Sequence, residues 1–468
     1  MIRRILLPSL LVILLVPPLR AEDPAGIRLL ERFGLRGEAA SWLLVDLETG
    51  TPDAAHRADR PRIPASTAKL VTAVVALDLL GGERRLVTEL RADGRIEGGV
   101  LRGDLVLRGG GDPLLDTADL LDLALALRDL GVTRLAGRLL LDDGLLPRFP
   151  RVVASEPASA PYNAGIGALT VDFARIRVIA TDPPTSVPPL FEAGLAWTDE
   201  PLAPPETARR ARDAEGGDRW EIPRDGRART LPVADAGMHT AELFRRLARS
   251  VGTVLPAPER GTVPAAEPLA RVESAPLRRI VRGMLLYSNN QVAETIGLLA
   301  GRTLGERPPA SLEASAARLL DRVRSELPSV DWASARLVNH SGLGAGSRLT
   351  AVQLVALLRR GEARHRLAAL LPASGWAGTL RRRLQEPATA LRVWAKTGTI
   401  DYASAIAGYL LPESGRMRAF AILLDDPGAR AIYDRRPEKT VAELADADAW
   451  NARARAFQDA LLARWLER

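Results

Sequence analysis

The sequence predicts a mixed α/β (α+β) protein whose first and last parts form one unit around a long β-rich insertion. Three observations predict it. A short apolar strand pattern at 41–46 (SWLLVD) is followed by a helical pattern starting near Ser66. Between about Glu89 and Glu267 the texture changes to short strand-like runs separated by Gly, Pro and Asp turns. Helical spacing returns at Pro276, and a strand, a hairpin and a last helix close the chain.

Each element has its own signal. Leu70, Val74 and Leu77 recur at spacings of four and three, and Gly81-Gly82 stops that helix. Within the insertion, Leu105 to Leu107 and Leu139 to Leu141 read as strands. The part from 183 to 231 is rich in Pro, Arg and Asp and has few apolar runs; it is either a small third domain or a long surface excursion. Helices are expected at 277–287, 291–302 and 311–326, and a strand at 394–400. A hairpin of 403–411 and 416–424 turns at 412–415. Phe457, Leu461 and Trp465 give the last helix an apolar face, suited to packing on the sheet or, alternatively, to lying on a membrane surface.

The expected domains are 22–88 with 268–468, and the inserted 89–267. Residues 1–21 read as a secretory signal peptide: Arg3 and Arg4, a short apolar run, Pro17-Pro18 and a small residue at Ala21. An uncleaved anchor is the alternative, and either places the body outside the cytoplasm. No other stretch suits a bilayer span.

Composition excludes several functions. The 468 residues contain no cysteine, so disulfides, thiol nucleophiles and iron–sulfur clusters are ruled out. The four histidines, His56, His239, His340 and His365, are scattered without metal-ligand spacing, so neither a metal site nor a cofactor is expected. A net charge of +7 raises the question of nucleic acid, but basic and acidic residues are interspersed and a solvated arginine-rich surface is the preferred reading. The 64 basic residues include only three lysines: Lys69, Lys396 and Lys439. Arginine stays protonated and cannot act as a base, whereas a buried lysine can. Each lysine therefore needs a reason not to be arginine.

Two of them lie in chemical motifs. PASTAKL (64–70) places Ser66 and Lys69 one turn apart on one helix face. A serine hydroxyl needs a neighbouring base to become a nucleophile, and a desolvated lysine can supply it. YSNN (287–290) offers the Ser288 hydroxyl for proton relay and the Asn290 carboxamide for holding an amide. KTGT (396–399) brings a cation, the Thr397 and Thr399 hydroxyls and Gly398 onto a strand, a set suited to a peptide's terminal carboxylate and extended backbone. Taken singly, each has a bland counterpart: a capping serine with a surface lysine, a polar helix connection, an exposed strand turn. Together and in this order they match the S-x-x-K, S-D-N and K-T-G set of penicillin-binding proteins and class A β-lactamases.

The chain resembles the class C low-molecular-mass penicillin-binding proteins, the D-alanyl-D-alanine carboxypeptidase/endopeptidases of peptidase family S13. Beyond the motifs, the likeness rests on GDLVLRGGGDPLL (103–115), PYNAGIGALTVD (161–172), ADAGMHTAELFRRLAR (234–249), HSGLGAGSRLT (340–350) and SGWAGTLRRR (374–383). It implies a transpeptidase/β-lactamase-like sandwich of an antiparallel sheet with helices, interrupted by accessory β-rich domains. It implies Ser66 as the acylated nucleophile, Lys69 as its base and Ser288 as proton relay. Asn290 would hold the substrate amide, Lys396 would support the site, and Thr397, Gly398 and Thr399 would line the carboxylate end. The Ser66 and Thr399 N–H groups would form the oxyanion hole. Peptidoglycan stem peptides and β-lactams are the implied partners, with no cofactor, no nucleic acid and no membrane span after signal cleavage. Asn289 stands where Asp is common, Asp172 and Ala174 stand where asparagines are expected, and Ile400-Asp401-Tyr402 is bulky beside the cleft.

Rival readings are a β-lactamase or esterase of the same fold, with Tyr287 as relay, and a silent peptidoglycan-binding protein. No G-x-S-x-G elbow supports a Ser-His-Asp hydrolase.

Overall fold

The computed structural model describes residues 22–212, 218–264, 266–435 and 438–467. The expected signal peptide, 1–21, lies outside the described residues.

Five antiparallel strands form the sheet that positions the site, in the order Val393–Ile400, Ala403–Leu410, Arg418–Asp425, Ala40–Asp46, Pro52–His56. Side chains alternate between its faces because a strand repeats every two residues. Trp42, Leu44, Ile406, Phe420, Ile422 and Leu424 enter one core. Leu43, Val45, Ala405, Tyr409, Ala421 and Leu423 enter the other. Both faces are covered, which is why the strands read as unbroken apolar runs rather than as alternating ones.

On the first face lies the C-terminal helix Val441–Leu466. Phe457, Leu461 and Trp465 are fully buried against the sheet, so the apolar face is not available to a membrane surface. No helix of the described residues is long and apolar enough to cross a membrane. On the second face lies the helix Lys69–Leu80, surrounded by Leu277–Tyr287, Asn290–Thr303, Leu312–Glu326 and Ala351–His365. Residues 69–77 are buried without interruption, the mark of a central helix. Gly81 ends it at φ 83°, a left-handed conformation that glycine adopts without strain. The helix proper starts three residues later than Ser66, which sits in a 3₁₀ turn, Ala65–Ala68.

After Leu80 the chain runs out to a second five-stranded sheet. Its strands Val87–Ala92 and Glu267–Glu273 pair antiparallel and bring the outgoing and returning chain together. The helices Thr117–Asp129 and Ala236–Ser250 pack on this sheet in a core of their own. The stretch expected to be poorly patterned carries two three-stranded sheets, one of Arg175–Ile179, Thr185–Val187 and Thr230–Pro232, the other of Gly194–Thr198, Arg209–Arg212 and Asp218–Pro223. Trp220, Ile222 and Leu231 anchor their shared core.

Candidate active site

The approach to Ser66 is rigidly held. Arg62 is buried, and its guanidinium donates to Asp425 Oδ1 at 2.6 Å, to Ser41 Oγ at 2.7 Å and to the carbonyls of Glu38 and Ala40. The other Asp425 oxygen accepts the Ile63 N–H at 3.0 Å. Ala65 then takes a left-handed φ of 43°, a conformation that costs a non-glycine residue energy and persists only where the surroundings enforce it. Two glycines do so. A Cβ on Gly342 would stand 1.9 Å from the Ala65 carbonyl oxygen, and one on Gly398 would stand 2.7 Å from the Ser66 nitrogen. Ser66 is partly exposed while its neighbours Ala65 and Thr67 are buried.

Lys69 is wholly buried, yet its ammonium has three acceptors for its three protons: Ser66 Oγ at 2.9 Å, Asn290 Oδ1 at 2.7 Å and the Ser341 carbonyl at 2.8 Å. Loss of hydration pushes the amine down to about 7, against an opposing pull from the Glu294 carboxylate. Near neutral pH a substantial share of the amine is therefore free of its third proton and able to accept one from Ser66. Lys396 is also fully buried, with its ammonium 2.5 Å from the Thr397 carbonyl. Burial and the nearby Lys69 charge hold Lys396 well below the ordinary lysine range. Two buried amines that repel each other resist being charged together.

The second motif joins two helices. Ser288, in left-handed geometry at φ 58° and ψ 33°, ends Leu277–Tyr287. Asn289 caps Asn290–Thr303 by accepting the Val292 N–H at 3.2 Å. Asparagine and aspartate both cap well, so Asn289 suits this position. Asn290 bridges Lys69 and the Tyr162 carbonyl, to which its Nδ2 donates at 3.0 Å. The Ser288 hydroxyl makes no hydrogen bond to the described residues, so none ties it to Ser66, Lys69 or Lys396.

The third motif lies on the edge strand Val393–Ile400, packed against the Ser66 turn. Thr397 Oγ1 donates to Thr379 Oγ1 at 2.7 Å, and Thr399 is exposed. Beyond it, Tyr402 does not crowd the cleft: its ring is buried beside Tyr433 and Trp450, and its hydroxyl donates to Asp446 at 2.6 Å. Farther off, Asp172, Phe173 and Ala174 are three successive left-handed residues. Asparagine tolerates that conformation better than alanine does, which accounts for its being expected at 172 and 174.

The motifs do not name four residues of this site. Glu294 and Ser341 surround Lys69, Tyr162 holds Asn290, and Thr379 pairs with Thr397. Glu294 was detectable as the residue four after Asn290, hence on the same helix face. The other three fall in segments 161–172, 340–350 and 374–383, with no side-chain pattern to mark them.

A partly exposed serine hydrogen-bonded to a buried lysine, at the edge of an antiparallel sheet covered by helices on both faces, is the arrangement of a serine hydrolase of the penicillin-recognising kind. The chain belongs to the D-Ala-D-Ala carboxypeptidase 3 (S13) family, whose model matches residues 28–196 and 221–447. It is 30% identical over 394 residues to the carboxypeptidase DacB of Mycolicibacterium smegmatis, covering 82% of this chain and 76% of that one. It is 31% identical over 460 residues to the D-alanyl-D-alanine carboxypeptidase of Actinomadura sp. (strain R39), covering 88% and 81%. Its fold matches that of penicillin binding protein 4 (dacB) from Haemophilus influenzae with a TM-score of 0.72 at 20% identity, over 90% of this chain and 96% of that one.

Proposed function

We propose that the protein is a serine-type D-Ala-D-Ala carboxypeptidase acting on peptidoglycan stem peptides through an acyl-serine intermediate, and that β-lactams acylate the same serine. The observation that carries this reading is the hydrogen bond between a partly exposed Ser66 and a fully buried Lys69 whose basicity is lowered toward neutral pH. Lys69 takes the Ser66 proton as Oγ attacks the carbonyl of the penultimate D-Ala. The terminal D-Ala leaves with a proton delivered to its amine, for which Ser288 is the assigned relay. Water then hydrolyses the ester and frees Ser66. The N–H groups of Ser66 and Thr399 are the assigned oxyanion donors, supported by the close approach of Gly398 to the Ser66 nitrogen. Thr397 and Thr399, with Lys396 behind them, receive the terminal carboxylate, and the edge strand beyond residues 393–395, which bond to the 372–374 segment, pairs with the peptide backbone.

The reading divides the chain into a catalytic domain, 22–88 and 268–468, and an insertion, 89–267, within which 183–231 forms the smaller part. Separate apolar cores support distinct units, but the strands Val87–Ala92 and Glu267–Glu273 both lie in the insertion's sheet and the smaller core draws on Ile176 and Val178, so the insertion takes in 87–273 and its smaller part begins before 183. It places the enzyme outside the cytoplasm, with residues 1–21 as its export signal.

Labelling with a fluorescent penicillin tests it. A covalent adduct in the wild type, absent in Ser66→Ala, is expected. A folded wild type that neither forms the adduct nor releases D-Ala from a pentapeptide would refute it. Product analysis on crosslinked dimers separates carboxypeptidase from endopeptidase action, and rapid turnover of a cephalosporin would mark a β-lactamase instead.

A further inference from the structure

A second buried ionisable group stands beside the nucleophile's base. Glu294 is fully buried on the helix Asn290–Thr303, one turn after Asn290. Its two oxygens accept successive backbone N–H groups, Oε2 from His340 at 3.0 Å and Oε1 from Ser341 at 2.9 Å. The carbonyl of that same Ser341 accepts a Lys69 proton at 2.8 Å. Next along the loop, Gly342 presses on the Ala65 carbonyl, immediately before Ser66. The helix can come this near because Gly297, one turn beyond Glu294, has no side chain: a Cβ there would stand 2.1 Å from the His340 ring. Burial raises the Glu294 carboxyl above its ordinary value, opposed by the hydrogen bonds from Ser341 and His340 and by the Lys69 charge; with both oxygens accepting backbone N–H groups, the geometry favours the carboxylate.

We infer that Glu294 is a positioning residue for Lys69, its carboxylate clamping residues 340–341 so that the Ser341 carbonyl faces the amine, and its charge balancing the buried ammonium. An uncompensated ammonium at this depth would be costly. The groups facing Lys69 leave that role to Glu294. From its own turn there is neutral Ser66; from the facing helix, neutral Asn290 and Glu294; from the loop, the Ser341 carbonyl and His340; from the edge strand, Lys396. Burial holds His340 down to about 3, so its ring is uncharged, and its Nε2 is hydrogen-bonded to Ser315 Oγ at 2.9 Å. Lys396 adds charge of the wrong sign. The inference rests on Lys69 being the base for Ser66.

The test is the pH profile of penicillin acylation in the wild type, Glu294→Gln and Glu294→Asp. Only the neutral amine accepts a proton, so the rate falls on the acid side. Removing the anion lowers the amine further and moves that acid limb to lower pH by about 1 unit or more in Glu294→Gln. Loss of the clamp lowers the plateau by roughly 10- to 100-fold. Glu294→Asp keeps the charge, so its limb stays near the wild-type position while its plateau drops. A Glu294→Gln enzyme that only melts earlier, with limb and plateau unmoved, would overturn the inference. If Glu294→Gln does not fold, Glu294→Asp decides: a lowered plateau on an unmoved limb supports the clamp, and a wild-type plateau overturns it. A wild type that takes no adduct, or an adduct that survives Ser66→Ala, would instead remove the reading underneath.

Discussion

Asn290 and Tyr162 join distant parts of the chain: the Asn290 carboxamide nitrogen donates to the Tyr162 carbonyl at 3.0 Å, while its oxygen accepts from Lys69 at 2.7 Å. The two bonds fix which way the amide faces, and they tie the segment between the first two motifs to the Lys69 amine. A long excursion thereby contributes backbone to the candidate site.

Asn290→Asp tests that orientation. It removes the donor to Tyr162 and sets a carboxylate against the Lys69 ammonium. An opposite charge at this range favours the protonated amine and raises its pKa. The acid limb of acylation should move to higher pH, and the rate at pH 7 should fall at least about tenfold. Stopped-flow acylation with a chromogenic β-lactam across pH measures both. An unmoved limb would separate Asn290 from the base.

The wild-type profile follows from Lys69 itself. Its amine is pushed down to about 7, so below that value the protonated form dominates and cannot accept the serine proton. Acylation should therefore level off above about pH 8 and fall toward tenfold per unit below about pH 6. Lys69→Arg keeps a cation that stays protonated across this range. It should lose about 100- to 10,000-fold in acylation rate at every pH. Retention of full activity would refute Lys69 as the base.

Legibility in the sequence followed the physics of each residue. The central helix and the first strand were legible because burial leaves few polar residues in them, as in 40–46 and 69–77, with Leu70, Val74 and Leu77 at helical spacing. The motif spacing led to residues that the fold brings together, Ser66, Lys69 and Asn290 by hydrogen bonds and Gly398 by its approach to the Ser66 nitrogen, but not to a bond for Ser288. All three lysines are buried, and two of them, Lys69 and Lys396, lie in the candidate site. Glu294 was not singled out because its partners are backbone N–H groups, which leave no mark on the residues that carry them. Tyr162 and Ser341 act through carbonyls, with the same consequence. The strands within 183–231 were obscured by arginines such as Arg209 and Arg219, which pair with Glu221 on the strand surface instead of showing apolar alternation.

Gly398→Ala isolates the contact between the edge strand and the nucleophile. The added methyl would stand 2.7 Å from the Ser66 nitrogen and 2.8 Å from the Pro64 carbonyl. Both neighbours are backbone in a turn already held in strained geometry at Ala65, so the strand must give way. The shift displaces Thr397 and Thr399 relative to Ser66. Acylation should drop roughly 100-fold, the scale of an ångström-sized misplacement, with a smaller change in melting temperature. Parallel melting curves and labelling rates check it; a wild-type labelling rate would show that the strand edge is not part of the acylation site.

Arg62 and Asp425 provide the last test, because they join the sheet to the turn that carries Ser66. Asp425→Ala leaves a buried guanidinium without its counter-charge and strips the Ile63 N–H of its acceptor. Breaking such a pair from one side costs about 3–5 kcal/mol, to be read as a lower urea midpoint. Replacing both partners, Arg62→Met with Asp425→Leu, removes the stranded charge but still leaves Ser41, the carbonyls of Glu38 and Ala40, and the Ile63 N–H without their partners. The double variant should therefore recover only part of the stability lost in Asp425→Ala. Acylation should remain slow in both, since residues 63–65 hold the strained approach to Ser66. Full recovery of stability and acylation in the double variant would show that the pair is a replaceable core contact rather than the anchor of the nucleophile turn.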